Sequence, residues 1–218
     1  MARRIRLGRC RARTHRARPP PRSAHPPGPG RRRCLRDARR PVGSSARRGG
    51  RGARSRLGVG HSAASTLAWL AADARPEKVA KVALVGGFPT ADGKAYADYF
   101  AIEGGVMPFP GWEPFEGPDA ADLDQQARDR FASAAVPVPE AVARGVVRLT
   151  DERRFDIPVV VVCPEFTPAQ AEKWIATGES PELARAAHVE YVDLDSGHWP
   201  MATRPRELAR VLAEAAHR

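Results

Sequence analysis

A serine surrounded by small residues stands directly before a predicted helix, in the run Gly58-Val59-Gly60-His61-Ser62-Ala63-Ala64-Ser65. Where a strand turns sharply into a helix, only glycine or alanine fits beside the serine. Such a turn presents the serine hydroxyl at the end of a sheet, so we predict that Ser62 is a nucleophile. The motif differs from G-x-S-x-G in its last residue, Ala64. A serine that only caps the helix is the alternative interpretation.

The chain after this turn alternates between short apolar runs and helical patterns. Residues 79–85 and 157–163 are valine-rich runs typical of strands buried on both faces, and residues 189–194 alternate as a strand. Helices are predicted at residues 167–177, which begin with Thr-Pro and a glutamine at the third helical position, and at residues 205–216. Strands that alternate with helices form a parallel sheet, so the predicted fold class is α/β.

Residues 92–150 are less regular than the rest of the chain, and helices are predicted there only over residues 119–134 and 139–147. Proline and aromatic side chains are frequent in and just before this region; the aromatic ones include Phe88, Tyr96, Tyr99, Phe100, Phe109, Trp112 and Phe115. We interpret residues 92–150 as a cap insertion that gives a substrate pocket an apolar wall. A packed surface loop is the alternative.

Charge divides the sequence into two parts. Residues 1–57 hold 20 of the 36 Lys and Arg residues and a single acid, Asp37, whereas residues 58–218 carry a net charge of −8. Segment 1–57 is too polar and too strongly charged to bury a core, so we predict that it is disordered and that residues 58–218 form the domain. It is interpreted as a polyanion-binding tail, a transit peptide, or a translation of the wrong reading frame. No aromatic residue is interleaved with its arginines, so we do not expect nucleic acid as the partner.

Composition sets further limits on partners and cofactors. The three cysteines, Cys10, Cys34 and Cys163, lack the spacing of a metal site or a disulfide framework. No apolar run is long enough to span a membrane, and the N-terminus lacks the apolar region of a secretory signal. We therefore expect a cytoplasmic protein with no metal and no membrane association. The oligomeric state is left open.

Ligands of a parallel sheet bind beyond the carboxyl ends of its strands. His198 lies in a glycine-containing loop, residues 195–201, directly after the last predicted strand, where a general base is needed. The chain order serine, acid, histidine is kept if an acid follows the strand that lies between the serine and the histidine.

At these positions the chain resembles the α/β-hydrolase family over residues 58–218, and within it the small esterase and hydroxynitrile-lyase branch. The resemblance rests on the serine turn, the strand at residues 159–163, the His198 loop, and Met201, Pro205, Glu207 and Leu208. It implies that Ser62 is the nucleophile, that His198 is its base and that the Ala63 amide is one oxyanion donor. The family's acid aligns with Thr167, so Glu165 is the expected third member and Asp92 is the alternative.

The resemblance implies a hydrolase that cleaves an ester or similar acyl bond of a small molecule without a cofactor, and it leaves lyase chemistry open. The strands that precede the serine turn in the family are not matched within residues 1–57. We therefore expect the C-terminal part of the fold, with weak or no activity because one oxyanion donor is lost. The rival hypotheses are a polyanion-binding protein that acts through its basic tail and a non-catalytic hydrolase fragment.

Overall fold

The computed structural model describes residues 56–217, so the disorder predicted for residues 1–57 lies outside that range except at Arg56 and Leu57, which belong to a strand. In chain order the elements are β1 (Arg56–His61), α1 (Ala64–Ala74), β2 (Val79–Val85), β3 (Val106–Met107), α2 (Gln125–Ala134), β4 (Val138–Pro139), α3 (Glu140–Ala143), β5 (Val159–Cys163), α4 (Pro168–Ala176), α5 (Pro181–Ala184), β6 (Val189–Asp193), α6 (Pro200–Thr203) and α7 (Pro205–His217). Short 3₁₀ turns cover Glu113–Phe115, Pro118–Ala120 and Glu152–Asp156. The first strand starts at Arg56, two residues before the predicted domain boundary.

Four strands form a parallel sheet in the order β1-β2-β5-β6. The parallel α/β sheet predicted from the alternating pattern is confirmed. Because all four strands run in the same direction, the residues that follow them meet at one edge of the sheet. The turn after β1, the loops after β2 and β5, and the loop after β6 therefore lie side by side.

The core lies on both faces of this sheet. All five residues of β5 are buried, as expected for a valine run in a strand covered on two sides. On one face Trp69 of α1 is fully buried against the sheet. On the other face Leu208 and Val211 of α7 pack against Val160 and its neighbours. The apolar stripe of α7 thus holds the last helix against the sheet.

A buried ion cluster links α1, α5 and the 3₁₀ turn before β5. The Arg154 guanidinium lies 3.2 Å from Asp73 and 3.0 Å from Glu182, and each of the three side chains is less than 10% exposed. Trp69 Nε1 also donates to Glu182, at 3.0 Å. Two buried carboxylates contact one cation here, so the charge of Arg154 offsets the desolvation cost of burying them.

The region between β2 and β5 contains shorter helices than the sequence predicted. Helix α2 begins only at Gln125, because the Asp124 side chain accepts a hydrogen bond from the Ala127 N–H and caps the helix there. Helix α3 ends at Ala143, and the β-branched Val146 forms an isolated bridge with Ala95 instead of continuing the helix. The expected helices at 119–134 and 139–147 were therefore too long.

No helix within residues 56–217 is long and apolar enough to cross a bilayer. Among the same residues no group of three His, Cys, Asp or Glu side chains is arranged to hold a metal ion. Cys163, at the end of β5, is a free and fully buried cysteine.

Candidate active site

Ser62 occupies a strained turn between β1 and α1. Its φ is +52°, the one positive value among the non-glycine residues that the structure describes. Gly60 permits this turn, because a Cβ there would lie 2.4 Å from the Ala64 carbonyl oxygen. A left-handed serine in a tight turn between a strand and a helix is the backbone geometry of a nucleophile elbow.

Two glycines after β2 allow other backbone and side-chain atoms to lie close to this serine and its neighbours. A Cβ on Gly87 would lie 2.7 Å from the Ser62 carbonyl oxygen, so that residue must lack a side chain. Gly86 has a φ of +57°, and its Cβ would lie 3.2 Å from both Glu165 Oε2 and His198 Nδ1. The Gly-Gly pair ended the predicted strand, but no sequence pattern assigned it to the site.

His198 and Glu165 meet at this edge of the sheet. His198 Nδ1 lies 2.6 Å from Glu165 Oε1, and both side chains are only 11% exposed. A carboxylate accepts from Nδ1–H, which leaves Nε2 of the imidazole free to take a proton. Glu165 Oε2 is buried and has no hydrogen-bond partner among residues 56–217.

The other two predicted site residues lie in different surroundings. Ala63 precedes the first residue of α1, and its N–H donates to no acceptor within residues 56–217. This N–H is thus available at a helix N-terminus, where negative charge is stabilised. Asp92 is exposed, and its Oδ1 accepts from the backbone N–H of Leu149 at 2.9 Å.

The backbone of His198 has two partners that sequence reasoning missed. Its N–H donates to the carbonyl oxygen of Asp119 at 2.8 Å, and its C=O lies 2.6 Å from His61 Nε2. Burial, followed by the nearby Glu165 charge, raises the pKa of Asp119 above its ordinary value. The sequence predicted that His61 is packed, but it carried no signal for Asp119, which is 79 positions away from His198.

An apolar cavity of about 510 Å³ is lined in part by Trp199, the residue that follows His198. Trp199 connects the two, since its ring lies 4.9 Å from that of His198 and also lines the cavity. The remaining lining residues come from the region between β2 and β5 and are all apolar: Phe100, Met107, Pro108, Phe109, Pro110, Trp112, Phe115, Phe131, Ala134, Ala135, Val136 and Val138. The volume is within the range of small-molecule pockets.

The sequence was also compared with models of known protein families, and one of them matches most of the chain. A family model described as the alpha/beta hydrolase family matches residues 8–211. The chain therefore belongs to the α/β-hydrolase family, as the motifs predicted, although the match begins at residue 8 and not at residue 58 as expected. No curated protein is a significant match to the sequence.

Solved structures share the fold at low sequence identity. An extracellular α/β-hydrolase from a Paenibacillus species is 15% identical, with 74% of this chain and 72% of that chain covered and a TM-score of 0.57. A methylesterase from Arabidopsis is 13% identical, with 75% and 70% covered and a TM-score of 0.53. A pyrethroid hydrolase from Sphingobium faniae is 18% identical, with 75% and 71% covered and a TM-score of 0.50.

Proposed function

We propose that this chain is a serine hydrolase that cleaves an ester of a small apolar molecule through an acyl-enzyme. The observation that carries the proposal is the 2.6 Å contact between His198 Nδ1 and Glu165 Oε1, at the same sheet edge as the strained Ser62. A nucleophile, a base and a group that orients the base define this chemistry better than any one of them alone.

In the first half-reaction His198 Nε2 takes the proton of the Ser62 hydroxyl while Oγ forms a bond to the ester carbonyl carbon. The carbonyl oxygen becomes negatively charged, and the Ala63 N–H donates to it. The tetrahedral intermediate then expels the alcohol, which receives the proton from His198. Water attacks the acyl-enzyme by the same route, releasing the acid and restoring Ser62.

Glu165 is assigned as the acid in preference to Asp92. Of these two carboxylates, Glu165 is the one that contacts the imidazole of His198, whereas the Oδ1 of Asp92 accepts from the backbone of Leu149. The Glu165 carboxylate fixes the Nδ1–H tautomer and stabilises the imidazolium that forms during each proton transfer.

The cavity beside Trp199 supports an apolar substrate. Its lining offers no charged side chain, so an ionised group placed there would lose hydration without gaining a partner. A neutral ester with an aryl or alkyl group fits this environment. The name of the Arabidopsis methylesterase, which shares the fold, agrees with ester chemistry.

We expect the rate to be low. In this fold the second oxyanion amide comes from a loop that precedes the elbow strand. Residues 1–55, which precede the elbow strand, are dominated by arginine, proline and glycine. An oxyanion hole that has one donor instead of two is slower by about 10²–10³.

The test is hydrolysis of p-nitrophenyl esters of increasing acyl length by the wild type, Ser62→Ala and Ser65→Ala. Ser65 is the matched control, because it is buried three residues further on and its Oγ has no partner among the described residues. We expect Ser62→Ala to abolish turnover and Ser65→Ala to retain it, with a preference for the longer, apolar acyl groups. Equal rates in the two variants would contradict the proposal.

A further inference from the structure

The base of the proposed site is held at its main chain as well as at its ring. The His198 C=O lies 2.6 Å from Nε2 of His61, a contact between residues 137 positions apart. His61 is the last residue of β1 and immediately precedes Ser62. One hydrogen bond therefore connects the strand that carries the nucleophile to the loop that carries the base.

The proton in this contact must reside on His61. A carbonyl oxygen only accepts, so Nε2 of His61 is the protonated nitrogen and donates. Burial lowers the pKa of His61 below its ordinary value, which leaves the ring neutral at pH 7 with that single proton. The two imidazole rings are 4.7 Å apart and tilted by 50°, so they do not stack face to face.

The loop that carries His198 is also held on the N-terminal side of the base. Gly197 directly precedes the base, and a Cβ there would lie 2.4 Å from both the Asp119 carbonyl oxygen and Asp122 Oδ1. The backbone before His198 therefore packs tightly against the turn at Asp119. The carbonyl oxygen of Asp119 also accepts a hydrogen bond from the His198 N–H. On the C-terminal side the contact with His61 is the one that joins the base to the elbow strand.

We propose that His61 is a positioning residue, which sets the distance between Ser62 and His198 by donating Nε2–H to the His198 carbonyl. This inference rests on the proposed hydrolase function. A purely packed histidine would only fill space, and an apolar ring of the same size would replace it. A positioning histidine requires a donor at the Nε2 position.

Substitutions at His61 separate these two roles. His61→Phe keeps the ring and removes the donor, whereas His61→Gln removes the ring and places an amide N–H near the Nε2 position. His188→Phe is the matched control, because His188 is exposed and precedes the amino end of β6. We expect His61→Phe to lower kcat about 10- to 100-fold with KM within about twofold, as small misplacements of reacting groups do.

We expect His61→Gln to recover most of that loss and His188→Phe to match the wild type. Equal losses in His61→Phe and His61→Gln, or no loss in His61→Phe, would overturn the proposal. If His61→Phe does not fold, as judged by circular dichroism, His61→Asn replaces it, because its amide is one methylene shorter and does not reach the carbonyl. His61→Asn is then expected to lose activity where His61→Gln retains it.

A second measurement does not depend on turnover. The low-field NMR signal of the His198 Nδ1 proton, bonded to Glu165, reports how firmly the base is held. We expect this signal in the wild type and His61→Gln, and broadening by faster exchange in His61→Phe. An unchanged signal in His61→Phe would refute the positioning role, whereas equal ester hydrolysis by the wild type and Ser62→Ala would refute only the hydrolase proposal.

Discussion

Replacing Glu165 by glutamine removes the charge beside the proposed base with almost no change in shape. The amide oxygen can still accept from His198 Nδ1–H, and the amide nitrogen takes the place of Oε2, which has no partner within residues 56–217. The histidine tautomer is therefore retained. What is lost is the attraction between the carboxylate and the imidazolium that forms as Ser62 attacks.

The size of this loss follows from the geometry. With Nδ1 and Oε1 2.6 Å apart, the two charge centres are about 4 Å apart, which corresponds to about 4 kcal/mol at an effective dielectric constant near 20. Each 1.36 kcal/mol is a factor of ten in rate, so we expect kcat/KM to fall by about 10³. KM should change little, because Glu165 does not line the apolar cavity.

The assay is steady-state hydrolysis of a p-nitrophenyl ester, with Asp92→Asn measured in parallel. The Asp92→Asn side chain keeps an oxygen that can accept from the Leu149 N–H, so this variant should match the wild type within about twofold. Loss of activity in Asp92→Asn together with retained activity in Glu165→Gln would refute the assignment of Glu165 as the acid.

Three further substitutions test other parts of the structure. Arg154→Met leaves two buried carboxylates without their cation and should lower the free energy of unfolding by about 3–5 kcal/mol in urea denaturation. Arg153 is exposed, so Arg153→Met should change the free energy of unfolding little. Equal effects of the two substitutions would contradict this prediction. Gly87→Ala places a Cβ against the backbone of Ser62 and should lower the free energy of unfolding by about 1–3 kcal/mol. Gly58→Ala is the control and should be tolerated, because its Cβ would meet no atom nearer than 3.8 Å. Because burial lowers the pKa of His61, the unfolded chain binds a proton that the folded one does not, so the free energy of unfolding should fall as pH decreases below about 6.5. His61→Gln should flatten that slope in urea titrations between pH 7 and 5, and an unchanged slope would count against the assignment.

The sequence predicted the elements whose signals are local. The limits of β2 follow from its valine-rich run between Lys78 and Gly86. Helix α4 begins where Thr167 and Gln170 form a capping box, the pattern that predicted it. Glu165 was expected as the acid from the resemblance, because it is the carboxylate nearest to Thr167, the position that aligns with the acid of the family.

Contacts made between distant segments could not be predicted in the same way. The role of Gly86 depends on the approach of Glu165 and His198, which only the folded loops bring together. The Asp119 carbonyl that holds the His198 N–H comes from an irregular turn with no periodic pattern. The lengths of the two helices predicted between β2 and β5 were overestimated, because the side-chain cap at Asp124 and the bridge formed by Val146 outweighed helical propensity.

The central claim is that Ser62 is a nucleophile activated by His198. Intact-mass spectrometry after treatment with a fluorophosphonate probe tests it even when turnover is slow, and peptide mapping then locates the adduct. We predict one adduct per chain, on Ser62, no adduct in Ser62→Ala and much slower labelling in His198→Ala. A folded wild-type protein that remains unlabelled, or carries the adduct on another residue, would contradict the account.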